Sequence, residues 1–267
     1  MTLVLCSCSP TAIVLEYQPK VAESIFEKKI TKIIQKSEHN SSINKAVKNI
    51  EAIVSYSFGF IMEKADRQRL INYEKAMLLE NRAHNNFKYA VNIGDSILGS
   101  ESNWDESILN KKSESIDIKL LYWLAAAYGG AVSTSRGDPE WIIKLPRVGK
   151  LLNHIVTIDS TWNKGAAYSA LISYSMNNPL LKPKEKESFA RYCFDKVVLL
   201  SDNYDASIYI SLAENVSIVN QNKKEFESLI IKSLEISNLN NSEYKLSNII
   251  NRKRARWLMA NIDEFFY

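Results

Sequence analysis

The chain has 267 residues, 46% of them apolar and 24% charged, a balance that suits one large folded domain or a helical array. Only 8 glycines and 6 prolines occur, too few for a turn-rich all-β fold, and a formal net charge of +4 does not call for a nucleic-acid partner. Three cysteines, Cys6, Cys8 and Cys193, make neither a disulfide framework nor a metal spacing.

Residues 1–8 read MTLVLCSC. Leu5-Cys6-Ser7-Cys8 has an apolar residue three before a cysteine and a small residue just before it, the pattern of a bacterial lipobox. Cys8 fits better than Cys6, which bulky Leu5 precedes. No Lys or Arg precedes Cys8, and the apolar run is shorter than the 7–15 residues of a signal peptide. Residues 1–18 are therefore expected to be a truncated lipoprotein signal and tether, with two readings open: an anchored protein, or a soluble one. No later segment approaches the ~20 apolar residues of a membrane span.

From residue 19 to 267 the pattern predicts a single all-α domain, a degenerate tetratricopeptide-like array of helix pairs. A helix over Pro19–Lys36 caps its start. Residues 41–63, 123–131, 165–174 and 204–220 supply first helices, two of them mixing aromatic with tiny side chains that allow close packing. Second helices carry x, x+4, x+7 stripes at Ala83/Phe87/Ala90, Val148/Leu152/Ile155, Ala190/Phe194/Val197 and Phe226/Ile230/Ser233. Such residues share one helix face that must be buried. Each stripe is followed by an apolar-x-apolar tail: Val91/Ile93, Val156/Ile158, Val198/Leu200 and Leu234/Ile236. The third members, Ala90, Ile155, Val197 and Ser233, are irregularly spaced, and only the last interval approaches the ~34-residue period of a regular array. Asp138-Pro139 predicts an N-cap and first helical residue. Leu145-Pro146 marks another helix boundary, Pro179 and Pro183 bracket a loop, and 238–242 (NLNNS) is a polar turn. A helix over 246–265 closes the array.

Residues 121–147, LYWLAAAYGGAVSTSRGDPEWIIKLPR, hold the densest pattern. Tyr122, Trp123, Tyr128, Trp141 and, beyond, Trp162 cluster around it. A stripe of aromatics is ordinarily packing core; the functional alternative is a ligand cleft with aromatic walls and a few polar groups. Arg136 and Arg147 flank the segment, and a planar guanidinium suits a carboxylate ligand, although surface or capping arginines are commoner. Arg252, Lys253, Arg254 and Arg256 read as a solvated or acidic-partner-facing helix side. His39, His84 and His154 have no partners at metal spacing. No Ser-His-Asp context, HExxH or Gly-rich phosphate loop is present, so neither enzyme nor cofactor is expected.

Three blocks resemble the T components of TRAP transporters: residues 56–67 (YSFGFIMEKADR), the 121–147 run continued through Ile158-Asp159 and Trp162-Asn163-Lys164-Gly165-Ala166, and residues 251–267 (NRKRARWLMANIDEFFY). The resemblance implies a periplasmic lipoprotein, lipidated at Cys8. It also implies a homotrimer with a central pore and a hydrophobic cleft that partners the substrate-binding P subunit. The expected role is docking and hand-off of a hydrophobic or carboxylate ligand. The alternative is a cytosolic adaptor that binds peptide segments.

Overall fold

The computed structural model describes residues 19–36, 42–98, 117–237 and 243–267, so Cys6, Cys8 and the turn expected at 238–242 lie outside the described residues. Among those described, every regular element is helical, and the all-α reading holds. The chain forms two compact units, Lys20–Ile158 and Asp159–Tyr267.

The first unit contains α1 (Pro19–Lys36), α2 (Ile43–Tyr56), α3 (Glu63–Arg69), α4 (Tyr73–Leu98), α5 (Ile118–Ser133), α6 (Pro139–Ile142) and α7 (Leu145–Ile158). Helix α2 runs through a π-helical segment, Ser57–Met62, into α3. α2 and α3 pack on α4, α4 on α5, α2 on α5, and α5 on α7. The sequence explains these faces. Ala46, Val47, Ile50, Ile53 and Val54 turn the inner side of α2 into the core. The predicted stripes Ala83/Phe87/Ala90 on α4 and Val148/Leu152/Ile155 on α7 are buried.

The second unit repeats the logic with α8 (Trp162–Asn177), α9 (Pro183–Leu200), α10 (Ala206–Leu212), α11 (Lys223–Ser237) and α12 (Lys245–Ala260). α8 pairs with α9, α10 with α11, and α10 and α11 both pack on α12. Ala190, Val197, Phe226, Ile230 and Ser233 are buried as the stripes require, while Phe194 is half-buried with its ring edge-on to Tyr209 at 5.2 Å. Ser233 satisfies its hydroxyl by donating to Ala206 O at 2.9 Å. The apolar tails are less uniform: Val91 and Ile236 are buried, but Ile158 is 40% exposed. The closing helix is shorter than expected. It ends at Ala260, where Asn261 Nδ2 donates to Trp257 O at 2.8 Å, and a 3-10 turn, Ile262–Glu264, follows.

Helix starts follow the sequence signals. Asp117, Asp138 and Asp205 accept the backbone N–H two residues on, at 2.8, 3.0 and 2.9 Å, and Pro139 occupies the first turn after Asp138. Burial pushes the Asp205 carboxyl up from its ordinary value. Burial also pushes the Cys193 thiol up to about 12, which fits its reading as a small core hydrophobe.

Two π-helical segments were not foreseen. In the first, Ser57 Oγ donates to Ile53 O at 2.7 Å and accepts from Asn86 Nδ2 at 3.1 Å. In the second, Ala213–Ser217, Asn215 Nδ2 donates to Ser211 O at 2.8 Å and Ser217 Oγ to Glu225 Oε2 at 2.8 Å. A short polar side chain thus reaches the carbonyl four residues back where the regular ladder is disturbed.

A close crossing in the first unit joins α4 to α5. A Cβ placed on Gly130 would lie 2.5 Å from Phe87 Cε1, and one on Gly94 2.5 Å from Leu124 Cδ1. Phe87 is fully buried and meets the Phe58 ring at a tilt, centroids 4.6 Å apart, so it has nowhere to retreat. Gly130→Ala gains about 1 kcal/mol of helix propensity but overpacks this crossing, which costs typically about 1–3 kcal/mol. We expect net destabilisation in urea unfolding, whereas Gly59→Ala, with open space around its Cβ, should be neutral or stabilising.

Candidate functional site

Helix α5 carries the aromatic core of the 121–147 segment. It is buried almost continuously from Leu120 to Tyr128, and Tyr122 and Trp123 meet edge-on at 5.2 Å. Tyr122, Trp123, Tyr128 and Trp141 are each at most 5% exposed. The four aromatics nominated as cleft walls in this unit are therefore packed in its core.

Tyr128 and Arg147 are brought into direct contact. Arg147 Nη1 donates to the Tyr128 hydroxyl at 2.8 Å, with its guanidinium carbon 5.5 Å from the ring centroid. The same hydroxyl donates to Asp95 Oδ2 at 2.6 Å. The string Asp95–Tyr128–Arg147 joins α4, α5 and α7 through one phenol. Burial and the Asp95 carboxylate push that phenol above its ordinary value, so it stays protonated and keeps its donor role.

A second seam lies along α4, where Glu80, His84 and Lys88 recur at i, i+4 spacing on one face. Glu80 pairs with Arg69 and, at 3.5 Å, with Arg136 Nε. Arg136 also donates to Met77 O at 2.8 Å, and its φ of 55° together with Gly137 at 83° turns the chain sharply after α5. Arg136 thus fastens the loop between α5 and α6 to α4. His84 Nδ1 lies 3.1 Å from both Ala131 O and Thr134 Oγ1. A carbonyl can only accept, so Nδ1 carries the proton. Burial and nearby Lys88 hold the His84 pKa below its ordinary value. The ring meets Trp141 edge-on at 5.5 Å, and Lys144 Nζ lies 4.4 Å from the centre of the Trp141 ring. Trp141 is accordingly a packing post with a cation against it.

Trp162 belongs to the other unit, where it is half-buried ahead of a backbone feature that the sequence did not announce. Asn163, Lys164 and Gly165 are all left-handed, with φ of 47°, 56° and 83°. Gly165 is required there twice over, since a Cβ would also sit 2.9 Å from Leu200 Cδ1.

Asp95, His84 and Lys144 were missed as members of this seam. His84 and Asp95 could have been flagged as polar residues interrupting the inward stripe of α4; Lys144 gives no such signal. No group of three or more His, Cys, Asp and Glu side chains that could hold a metal occurs among the described residues. No described helix is long and apolar enough to cross a membrane.

The class of protein these elements define is a helical-hairpin scaffold, its first unit knit by polar seams. A family model described as the TRAP transporter T-component matches residues 28–266, most of the chain. The chain belongs to the TRAP transporter T-component family. It is also similar to an uncharacterized protein of Treponema pallidum (strain Nichols), 23% identical over 171 residues, which cover 61% of this chain. Those residues span about half (51%) of that relative's length.

The Asp95–Tyr128–Arg147 string yields a direct test. Tyr128→Phe removes one donor and one acceptor at once and leaves two charged groups short of a partner. We expect a loss of about 1–3 kcal/mol in chemical denaturation. A loss below a few tenths would show the string to be energetically idle.

Proposed function

We propose that this protein is a non-enzymatic, lipid-anchored subunit on the periplasmic side of the membrane that docks the substrate-binding P subunit of a TRAP transporter. The observation that carries the reading is the family match across residues 28–266. The helical-hairpin architecture supports it, because stacked helix pairs offer extended surfaces for a protein partner. In this reading the pairs are degenerate tetratricopeptide units within one domain, the protein works as a homotrimer, and a hydrophobic or carboxylate ligand passes through a cleft or pore. Arg136, Arg147 and Trp162 are the nominated residues that keep solvent exposure, so they are the ones to meet a ligand or partner. Tyr122, Trp123, Tyr128 and Trp141 would act from behind, by holding the elements that present Arg136 and Arg147. Cys8 would carry the acyl chain.

Affinity purification from native membranes, with mass spectrometry of partners and of the N-terminal peptide, tests this. We expect a TRAP substrate-binding subunit to co-purify and Cys8 to be acylated. Cytosolic partners with unmodified Cys8 would favour the peptide-binding adaptor and rule the transport role out.

A further inference from the structure

Helix α1 separates its charges by face. Ala22 and Ile30 are each 2% exposed, and the Phe26 ring lies tilted against Phe60 at 5.4 Å, so this side packs against the rest of the first unit. Glu23 and Glu27 are the only acids of α1, and both are answered from the body of the unit: Lys64 pairs with Glu23, and Arg82 Nη2 lies 2.6 Å from Glu27 Oε1. The remaining arc is exposed and carries Lys20, Lys28, Lys29 and Lys32 around Val21 and Ile25, which are 46% and 59% exposed. Residues 21, 25, 28 and 32 fall on one helix face by their spacing. Among the described residues Lys20, Lys28 and Lys32 form no ion pair, while Lys29 lies at the margin of the arc, within electrostatic reach of Glu51. Lys28 and Lys32 are at i, i+4, where like charges repel, and no described carboxylate on the arc relieves them.

We propose that this face of α1 is a docking surface for an anionic lipid bilayer. The lysines are spread over about 18 Å of helix, as compact point charges without the fork geometry that arginine uses to fix one carboxylate in one place. That arrangement suits a plane of headgroups better than a defined acidic site on a protein. Val21 and Ile25 stand among the lysines where they can dip into the interface. Pro19, the first residue of α1, follows Cys8 by a stretch of chain that spans at most roughly 40 Å. An acyl chain on Cys8 would therefore hold this face within reach of the bilayer, and a lipid chain with a polybasic patch is the two-signal arrangement that gives stable attachment. The biological setting rests on the membrane-anchored reading above, but the contact itself does not require the acyl chain.

The test uses the full chain carrying Cys6→Ser and Cys8→Ser, so that no lipid is attached. It is mixed with phosphatidylcholine vesicles containing about 30 mol% phosphatidylglycerol and floated on a density gradient. We expect binding to these vesicles, none to pure phosphatidylcholine, and loss of binding at about 0.5 M salt. Each lysine at an anionic surface contributes about fivefold, the equivalent of about 1 kcal/mol. Lys28→Glu with Lys32→Glu should therefore bind at least about 25-fold more weakly, with an unchanged melting temperature. No binding to the anionic vesicles, or equal binding by the variant, overturns the proposal. So does a variant that floats normally yet loses its hold on the substrate-binding subunit, since the occupant would then be an acidic protein. The vesicles contain neither the acyl group nor the partner subunit, so this result and the outcome of the purification from native membranes are independent.

Discussion

The close approach of α4 and α5 is the constraint on which the first unit depends. Two glycines make it possible: the Phe87 ring lies against the backbone of Gly130, and the Leu124 side chain against that of Gly94. Because the two helices touch at backbone distance, groups on their flanks fall within hydrogen-bonding reach of each other. Tyr128 can then meet Asp95 directly, and His84 can reach Ala131 O. The register of these contacts is steric in origin and polar in detail; the polar seams fix which turn of α4 faces which turn of α5, while apolar burial supplies most of the driving force.

The second unit has its own point of strain. Left-handed backbone at Asn163 and Lys164 costs of order 1–2 kcal/mol for each residue, and it persists because Ala166, Ala167, Leu171 and Ile172 bury the helix that follows. Gly165 closes the turn with its backbone against Leu200. The Trp162–Ala166 block carried part of the family resemblance, and the structure gives it a physical identity: a tight left-handed entry into α8.

Much of the fold was legible because it depends on periodicity. The second-helix stripes and the Asp138-Pro139 start follow from local rules of helix geometry and capping, and both appear as read. The tails were less regular because a residue at a helix end, such as Ile158, can meet solvent whatever its hydropathy. The π-helical segments stayed hidden, since Ser57 and Asn215 are unremarkable polar residues until the carbonyls they reach are known. The candidate site was legible in composition and not in arrangement. The segment from residue 121 to 147 does bring Arg147 onto Tyr128, yet Asp95 and His84, the partners of Tyr128 and Trp141, come from a helix dozens of residues away, which no local pattern encodes. Aromatic richness, moreover, is equally compatible with core and cleft; burial resolved it as core for Tyr122, Trp123, Tyr128 and Trp141.

The chain is a scaffold of helix hairpins that belongs to the T-component family, and the proposed role puts its function on the surfaces that its core holds in place. In the proposed reading the nominated polar residues and the lysine arc of α1 serve different tasks: one toward a partner and its ligand, the other toward a lipid plane. In the proposed role the protein acts by binding a substrate-binding subunit. Sedimentation velocity of the purified chain, alone and mixed with the substrate-binding subunit of its own transporter, measures that most directly. The account expects a new, faster boundary containing both proteins. Two independent boundaries, unchanged at tens of micromolar, would contradict it.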